Sequence, residues 1–221
     1  MFTALTTRAL EACRDEGVAF VFDTPNAQSR PGYLKLGWRE VGRPGTAARP
    51  ARVRDARILA RSRVPADHWS MPIAVGAEIG PWLDAHGPWP APAHVSSTDR
   101  TLRTATDERF ARWRYGLAGL HYRVVGDADA AIVVRLRRRG LARELVIAQQ
   151  LGDPDHADRL VIDTLRQVGA THALRLGDPN LRRGFVPIPD AGPLLTWRAV
   201  CDHGPPPLPN WQLSLGDLEL F

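Results

Sequence analysis

The stretch FVFDTPNAQSRPGYLKLGWREVG, residues 20–42, decides the fold of this chain. It predicts a strand at 18–22, a polar turn, a short helix at 31–36 and a second strand at 38–41. The run 18–22 is apolar without alternation, which is typical of a strand covered on both faces by helices. Ligands of open α/β sheets bind at the carboxyl ends of such strands, so the turn at 23–26 is the first candidate for a site.

An amphipathic helix is predicted ahead of this stretch, over residues 2–16, and it ends at Gly17. Its apolar positions recur at helical spacing and are expected to face inward: Phe2, Leu5, Ala9, Leu10 and Cys13. Helix and strand joined by one glycine form half of an α/β unit. Because the chain begins inside this helix, with no N-cap and no preceding strand, we expect that upstream sequence is missing, through truncation or a misplaced start.

Length and composition indicate an ordinary soluble globular protein of one large or two small domains. The chain has 221 residues, of which 44% are hydrophobic and 24% charged. No apolar run approaches the roughly 20 residues that span a bilayer, and the N-terminus resembles neither a signal peptide nor a transit peptide. We therefore expect a cytoplasmic protein that does not bind membranes.

Cysteine and histidine usage gives no sign of a metal centre or of a disulfide framework. The two cysteines, Cys13 and Cys201, are expected to be reduced and to serve as small core residues. The seven histidines are scattered without paired spacing, and no nucleophile elbow or P-loop is present.

The basic charge balance has two explanations. Net charge is +5, and Lys35 is the single lysine among 29 basic residues. Such a balance occurs in proteins that bind nucleic acids or anionic cofactors, but an Arg-, Ala- and Pro-rich chain is also what a GC-rich genome encodes. Because no basic motif is interleaved with base-stacking aromatic residues, we expect no nucleic-acid partner.

The middle of the chain is rich in proline and tryptophan. Residues 46–104 are predicted to form a connection, with one helical turn at 79–84 and a segment, 53–63, that fits strand or helix equally. Its three tryptophans indicate that it packs on the body of the protein: Trp69, Trp82 and Trp89.

The remainder of the chain is predicted to contain a meander, a helix and a docked tail. A helix at 107–115, capped by Thr106, precedes the strands, which are 122–125, 130–136 and 143–150. There follow an amphipathic helix at 155–168, a strand at 171–176, and a hairpin of 185–188 with 194–200. The tail 205–221 is expected to dock through four apolar residues: Trp211, Leu213, Leu215 and Phe221.

The order of elements repeats. Helix, glycine, strand, polar turn, glycine-aromatic pair and strand occur first within 1–45 and again after residue 155. We therefore predict two similar halves, 1–45 and 105–221, joined by the connection 46–104. The fold class is α/β (α+β), a mixed sheet flanked by helices.

The turn after the first strand carries a family resemblance. Residues 26–42, N-A-Q-S-R-P-G-Y-L-K-L-G-W-R-E-V-G, resemble N-x-x-S-x-x-x-Y-x-K-x-G-F, the C-terminal signature of the GNAT acyltransferase superfamily. The resemblance implies a GNAT fold and acyl transfer from acetyl-CoA or another acyl-CoA to a small-molecule or peptide amine, without a metal. It also implies that Tyr33 protonates the departing CoA thiolate and that Asn26 and Ser29 lie near the pantetheine arm.

The chemistry of these residues agrees with that role. A phenol with a pKa near 10 is a serviceable acid toward a thiolate. The short helix, with Ser29 as its predicted N-cap and Pro31 in its first turn, places Tyr33 over the strand end. Without the signature, Tyr33 would be interpreted as a half-buried aromatic residue, Asn26 as a turn residue and Ser29 as a helix cap.

The family's phosphate-binding loop, [RQ]-x-x-G-x-[GA], is not found where the resemblance requires it, ahead of the helix at 2–16. RRRGLA, residues 137–142, fits the pattern, but apolar runs on both sides also fit a hairpin turn. The helix at 155–168 opens with Asp153-Pro154-Asp155, whose carboxylates would repel a pyrophosphate. We expect a GNAT-type N-acetyltransferase (EC 2.3.1.-) that binds CoA weakly, if at all, by itself, and the alternative is a non-catalytic GNAT-like binding module.

Overall fold

A computed structural model describes residues 2–61, 64–93, 101–177, 179–201 and 204–218. The helices are α1 (Phe2–Asp15), α2 (Arg30–Lys35), α3 (Asp55–Arg61), α4 (Ile79–His86), α5 (Glu108–Tyr115), α6 (Pro154–Gln167) and α7 (Leu215–Leu218). The strands are β1 (Phe20–Asp23), β2 (Arg39–Gly42), β3 (Thr46–Pro50), β4 (Arg123–Gly126), β5 (Ala130–Arg139), β6 (Ala142–Gly152), β7 (His172–Leu176), β8 (Val186–Pro187) and β9 (Leu195–Ala199).

These strands form two sheets. The larger sheet has six strands in the order β4-β5-β6-β7-β3-β8, and the smaller one has three in the order β1-β9-β2. All pairs are antiparallel except β6 and β7, which are parallel and are connected by α6. A parallel pair needs such a crossover because its strands start at the same end of the sheet.

The β5–β6 hairpin is the longest strand pair of the larger sheet. Arg139 pairs with Ala142 across a turn at Gly140, whose φ of 58° favours glycine. The sequence RRRGLA is therefore a hairpin turn and not a phosphate loop. One register shift, opposite Val133 and Val134, gives the strand pair a bulge.

Helix α6 covers one face of this sheet. Its residues Ala157, Val161 and Leu165 are fully buried and share a cluster with Ile132 of β5 and Leu145 of β6. The opposite face carries a second apolar cluster, to which α4 and α5 contribute. Two of the three tryptophans predicted to pack, Trp82 and Trp89, are buried in it, but Trp69 is exposed.

The two sheets exchange strands. β3 follows β2 in the chain but lies between β7 and β8, and β9 follows β8 but lies between β1 and β2. The predicted final hairpin, 185–188 with 194–200, is therefore wrong. Local alternation predicted both strands, but each finds its hydrogen-bond partners in a distant part of the chain.

Several local predictions also need correction. β1 is not covered on both faces, because Phe22 is exposed, and α1 has no buried residue. Asp107, rather than Thr106, caps α5 by accepting a hydrogen bond from the Phe110 amide at 2.7 Å. Both cysteines are free, as expected, but Cys201 is exposed and does not belong to the core.

The tail docks between the sheets. Trp211 and Leu215 are buried in a cluster that includes Val146 of β6 and Trp197 of β9, and Leu213 packs against it. Phe221 lies outside the described residues. Among the described residues, none of the helices has the length and apolar character needed to cross a membrane.

Candidate functional site

Tyr33 lies on α2, over the carboxyl end of β1. Its ring makes edge contacts with Phe2 and Trp38, each with centroids 5.1 Å apart. Gly32 permits the approach of Phe2, because a Cβ at this position would lie 2.9 Å from the Phe2 ring. These contacts fix the ring and leave Tyr33 half-buried.

Asp23, the last residue of β1, is the charged neighbour of Tyr33. Burial raises the pKa of the Tyr33 hydroxyl, and the negative charge of Asp23 and a hydrogen bond to its side chain raise it further. Tyr33 is therefore a neutral phenol at physiological pH, with a proton to donate. The sequence analysis did not assign Asp23 a role, although its place at the end of an apolar strand was a signal.

Asn26 shapes the turn that leads to α2. Its side-chain oxygen accepts hydrogen bonds from the amides of Gln28 and Ser29, both at 2.9 Å. Within the described chain, its side-chain nitrogen makes no hydrogen bond, so this donor is available to a ligand.

Ser29 does not cap α2 as predicted. It holds the N-cap position, but its side chain makes no capping bond and its hydroxyl lies 3.5 Å from the backbone oxygen of Asn26. The asparagine therefore supplies the capping hydrogen bond that the sequence analysis gave to the serine. Both residues precede α2, the helix that carries Tyr33.

The smaller sheet and the tail meet at this turn. The backbone oxygen of Asp23 accepts a hydrogen bond from Thr196 of β9 at 3.1 Å. Thr24 is buried, and its hydroxyl donates to the backbone oxygen of Leu218 at 3.4 Å. Residues distant in sequence therefore contact Asp23 and Thr24, next to Tyr33, which no local sequence pattern indicated.

A cleft lies between β6 and β7, away from Tyr33. The two strands pair only from Glu144 to Val146 and then diverge, leaving a cavity of about 700 Å³. Apolar residues of the tail, including Trp211 and Leu215, form part of its wall.

A buried polar network forms the floor of this cleft. Arg175 donates to Asp158 at 2.8 Å and to Gln150 at 2.9 Å, and the amide of Gln150 donates to Asp158 at 3.0 Å. The arginine also lies over the Phe185 ring, 4.0 Å from its centroid. The sequence analysis missed this network because its members come from β6, α6 and β7.

Comparison with solved structures identifies the fold. A GCN5-related N-acetyltransferase from Kribbella flavida matches 90% of this chain with a TM-score of 0.51 and 16% sequence identity. The chain has a GNAT fold. The predicted fold class, a mixed sheet flanked by helices, is confirmed.

Two further solved structures are similar to this chain over 90% of its length. An N-acetyltransferase of the same group from Anabaena variabilis matches with a TM-score of 0.47 at 11% identity, and Eis1 from Mycobacterium abscessus with 0.43 at 17%. The matches cover 48%, 50% and 51% of the Kribbella, Anabaena and Mycobacterium chains, so this chain spans about half the length of the structures it matches. The sequence matches no protein-family model and no curated protein.

The start of α6 does not offer the phosphate cradle expected of a GNAT cofactor site. Asp153 caps this helix by accepting a hydrogen bond from the His156 amide at 2.7 Å, and Pro154 supplies no N–H. Asp155 adds a second carboxylate to the first turn. Because Asp153 already occupies an amide of the first turn and Pro154 has none to offer, the residues at this helix do not fit the pyrophosphate of CoA.

Across the described ranges, His, Cys, Asp and Glu side chains do not converge in threes or more. The side chains at and beside Tyr33 offer a phenol that can donate a proton, together with amide and hydroxyl groups that can form hydrogen bonds.

Proposed function

We propose that this chain supplies the thioester end of an N-acyltransferase site that uses acetyl-CoA or another acyl-CoA. The observation that carries the proposal is Tyr33, a phenol held protonated at the carboxyl end of β1. The GNAT fold supports it, because the signature places a tyrosine at this point of that fold. The acceptor is a small-molecule or peptide amine.

The proposed reaction is a direct transfer. The neutral amine attacks the thioester carbonyl carbon, and a C–N bond forms. When the tetrahedral intermediate collapses, the C–S bond breaks and the thiolate takes the proton of the Tyr33 hydroxyl. The proton lost from the amine nitrogen returns to the Tyr33 oxygen through solvent, which restores the phenol.

Asn26 and Ser29 would orient the acyl-CoA. The unpaired side-chain nitrogen of Asn26 is a donor for a carbonyl of the pantetheine arm, and the Ser29 hydroxyl is a second polar contact. The thioester supplies the activated acyl group. Trp38 and Phe2 hold the Tyr33 ring so that the phenol does not rotate away.

The test combines substrate binding with turnover. Acetyl-CoA binding is measured by calorimetry, and CoA thiol release is followed with a panel of primary amines. Tyr33→Phe keeps the ring contacts and removes the acid, so we expect turnover to fall about 10²- to 10⁴-fold while acetyl-CoA binding is unchanged. Leu34→Ala, on the exposed side of α2, is the matched control and should retain turnover. Full turnover by Tyr33→Phe would exclude the proposed acid.

A non-catalytic GNAT-like binding module is the second candidate. It is favoured by α6, whose first turn is capped by Asp153 and carries a further carboxylate, Asp155. This candidate predicts no acetyl-CoA binding and no thiol release for the wild-type chain. Binding with Tyr33-dependent turnover would exclude it.

A further inference from the structure

A cavity remains between the tail and the larger sheet. Beyond Val146, where β6 and β7 stop pairing, the tail packs on β6, since a Cβ on Gly216 would lie 3.0 Å from the backbone oxygen of Ala148. The tail does not fill the gap between the strands, and a space of about 700 Å³ is left beside it. This volume is typical of small-molecule sites, which occupy roughly 300–1,000 Å³.

The wall of this cavity is largely apolar. Six apolar side chains contribute to it: Leu208, Trp211, Leu213 and Leu215 of the tail, Ile147 of β6 and Leu176 of β7. Trp211 and Leu215 are also part of the buried cluster between the sheets, so packing holds this wall in place. A fixed apolar wall fits the apolar body of a small ligand.

Gln149 brings an unused hydrogen-bond donor to the cavity. Its side chain is 5% exposed, and its oxygen accepts a hydrogen bond from the Tyr115 hydroxyl at 3.0 Å. This bond fixes the amide with its nitrogen toward the cavity, and among the described residues that nitrogen has no hydrogen-bond partner. A buried amide nitrogen without a protein partner is costly, and an acceptor on a ligand in the cavity would offset this cost.

Arg103 brings a positive charge to the mouth of the cavity. The residue is exposed, and within the described chain its guanidinium has no acidic partner. Arg175, at the floor, is already neutralised by an ion pair. The carboxylate of Asp217 also lines the cavity, but it accepts hydrogen bonds from the amide and the hydroxyl of Ser214, both at 2.7 Å. Gln149 and Arg103 are both donors, so they match a ligand with acceptor oxygens and a negative charge.

We propose that the cavity between the tail and the larger sheet binds a small apolar carboxylate. Its apolar body lies against the wall, and its carboxylate accepts a hydrogen bond from the Gln149 amide, with Arg103 as the countercharge. The ligand is not CoA, since the start of α6 offers no phosphate cradle and the tail already packs on β6. Tyr33 does not line the cavity, so the proposal holds whether or not this phenol transfers a proton.

Two ligands with the same apolar body test the required charge. Naphthalene-2-carboxylate and naphthalen-2-ylmethylamine share their ring system and carry opposite charges at neutral pH. In calorimetric titrations of the wild-type chain, we expect the carboxylate to bind at least about tenfold more tightly than the amine, because only the carboxylate can accept from Gln149. Equal affinity for the two ligands, tighter binding of the amine, or binding of neither would overturn the proposal.

Two substitutions locate the bound carboxylate. Gln149→Glu keeps an acceptor for the Tyr115 hydroxyl but replaces the donor with a negative charge, so we expect the affinity for naphthalene-2-carboxylate to fall at least about tenfold. Arg103→Gln removes the countercharge and should also weaken binding. Arg109→Gln is the matched control, because it makes the same change at an exposed arginine of α5 that does not line the cavity, and it should leave the affinity unchanged.

An aromatic groove beside β1 is the alternative location that the variants exclude. It is lined by Phe20, Phe22 and Trp113 and also by Arg103, but not by Gln149. Carboxylate binding that weakens in Arg103→Gln but persists in Gln149→Glu would place the ligand in the groove and overturn the proposal. The Tm of each variant shows whether it is folded. If Gln149→Glu does not fold, Gln149→Met removes the donor without adding a charge and gives the same test.

Discussion

The hydroxyl of Thr24 donates a hydrogen bond to the backbone oxygen of Leu218 across 194 positions of sequence, at 3.4 Å. Thr24 directly follows β1, and Leu218 is the last residue of α7. The contact is buried and lies next to Asp23, the charged neighbour of Tyr33. The tail is therefore part of the framework of the candidate site and of the core between the sheets.

Trp211 should be the main anchor of this tail. Its ring contacts Phe20 and Phe22, with centroids 6.0 and 5.5 Å away, and the side chain is 9% exposed. We expect Trp211→Ala to lower the free energy of unfolding by about 3–5 kcal/mol, through lost burial and a residual cavity. Trp113→Ala, at a tryptophan 74% exposed, is the control and should change stability little. Urea unfolding of both variants measures the difference, and equal losses would contradict the assigned anchor.

Glu144 is the buried charge on which the start of the β6–β7 pair depends. It accepts hydrogen bonds from Arg137 and Arg139, both at 2.7 Å, and lies 3.1 Å from Nε2 of His172. Burial opposes ionisation, but the hydrogen bonds from His172 and Arg139 and the two arginine charges hold the pKa of Glu144 far below its usual range. Glu144→Gln leaves the partly buried Arg137 and Arg139 without their counter-charge, and we expect it to cost about 3–5 kcal/mol.

The same carboxylate predicts the acid limit of stability. A lowered folded-state pKa contributes stability that is fully present above the unfolded value, 4.5, and is lost as the pH falls below it. Unfolding free energy measured between neutral and acid pH should therefore decline below about pH 4.5. The decline should be shallower in Glu144→Gln, and an unchanged profile would contradict the linkage.

Asp23 should keep Tyr33 protonated into the alkaline range. Asp23→Asn removes the negative charge and the charged hydrogen-bond partner, while burial of the phenol remains. We expect the pKa of Tyr33 to fall, observed as phenolate absorbance appearing at lower pH. Because the chain has three tyrosines, the spectrum of Tyr33→Phe is subtracted to isolate the signal. A pKa of Tyr33 that rises or stays constant in Asp23→Asn would remove Asp23 from the site.

The strand exchange makes the two sheets depend on each other. Residues 1–61 contain β3, which completes the larger sheet, and residues 64–221 contain β9, which completes the smaller one. Produced together, these two fragments should form a stable one-to-one complex because each supplies a central strand of the other's sheet. Residues 64–221 produced alone should be insoluble, because β7 and β8 lack β3 between them. A soluble, well-folded fragment would show that the exchange is not required.

Most helices and strands could be predicted from local sequence patterns. The helical turn predicted at 79–84 is part of α4, and the amphipathic helix at 155–168 is α6 within two residues at its ends. The strands at 130–136 and 143–150 were recognised but drawn too short, because the charged residues at the hairpin end do not look like strand. Within the ambiguous segment 53–63, residues Asp55–Arg61 are helical and form α3.

The residues of the candidate site could be predicted from the sequence, but the residues that surround them could not. The signature led to Asn26, Ser29 and Tyr33, and the structure places all three at one turn. The role assigned to each in acyl transfer stays a prediction. Asp23 and Thr24 were missed because their importance arises from contacts with Tyr33 and with the tail, and no short pattern encodes such contacts.

The sequence by itself predicted most of the helices and strands and the turn between β1 and α2, because propensity, periodicity and turn chemistry act between near neighbours. Only the tertiary structure decided which strands pair and that RRRGLA is a hairpin turn. The alternation of apolar residues along a strand indicates which side chains it buries. It does not indicate which of the other strands will pair with it. The exchange of β3 and β9 is such a choice, and it brings Thr196 of β9 into a hydrogen bond with Asp23, the charged neighbour of Tyr33.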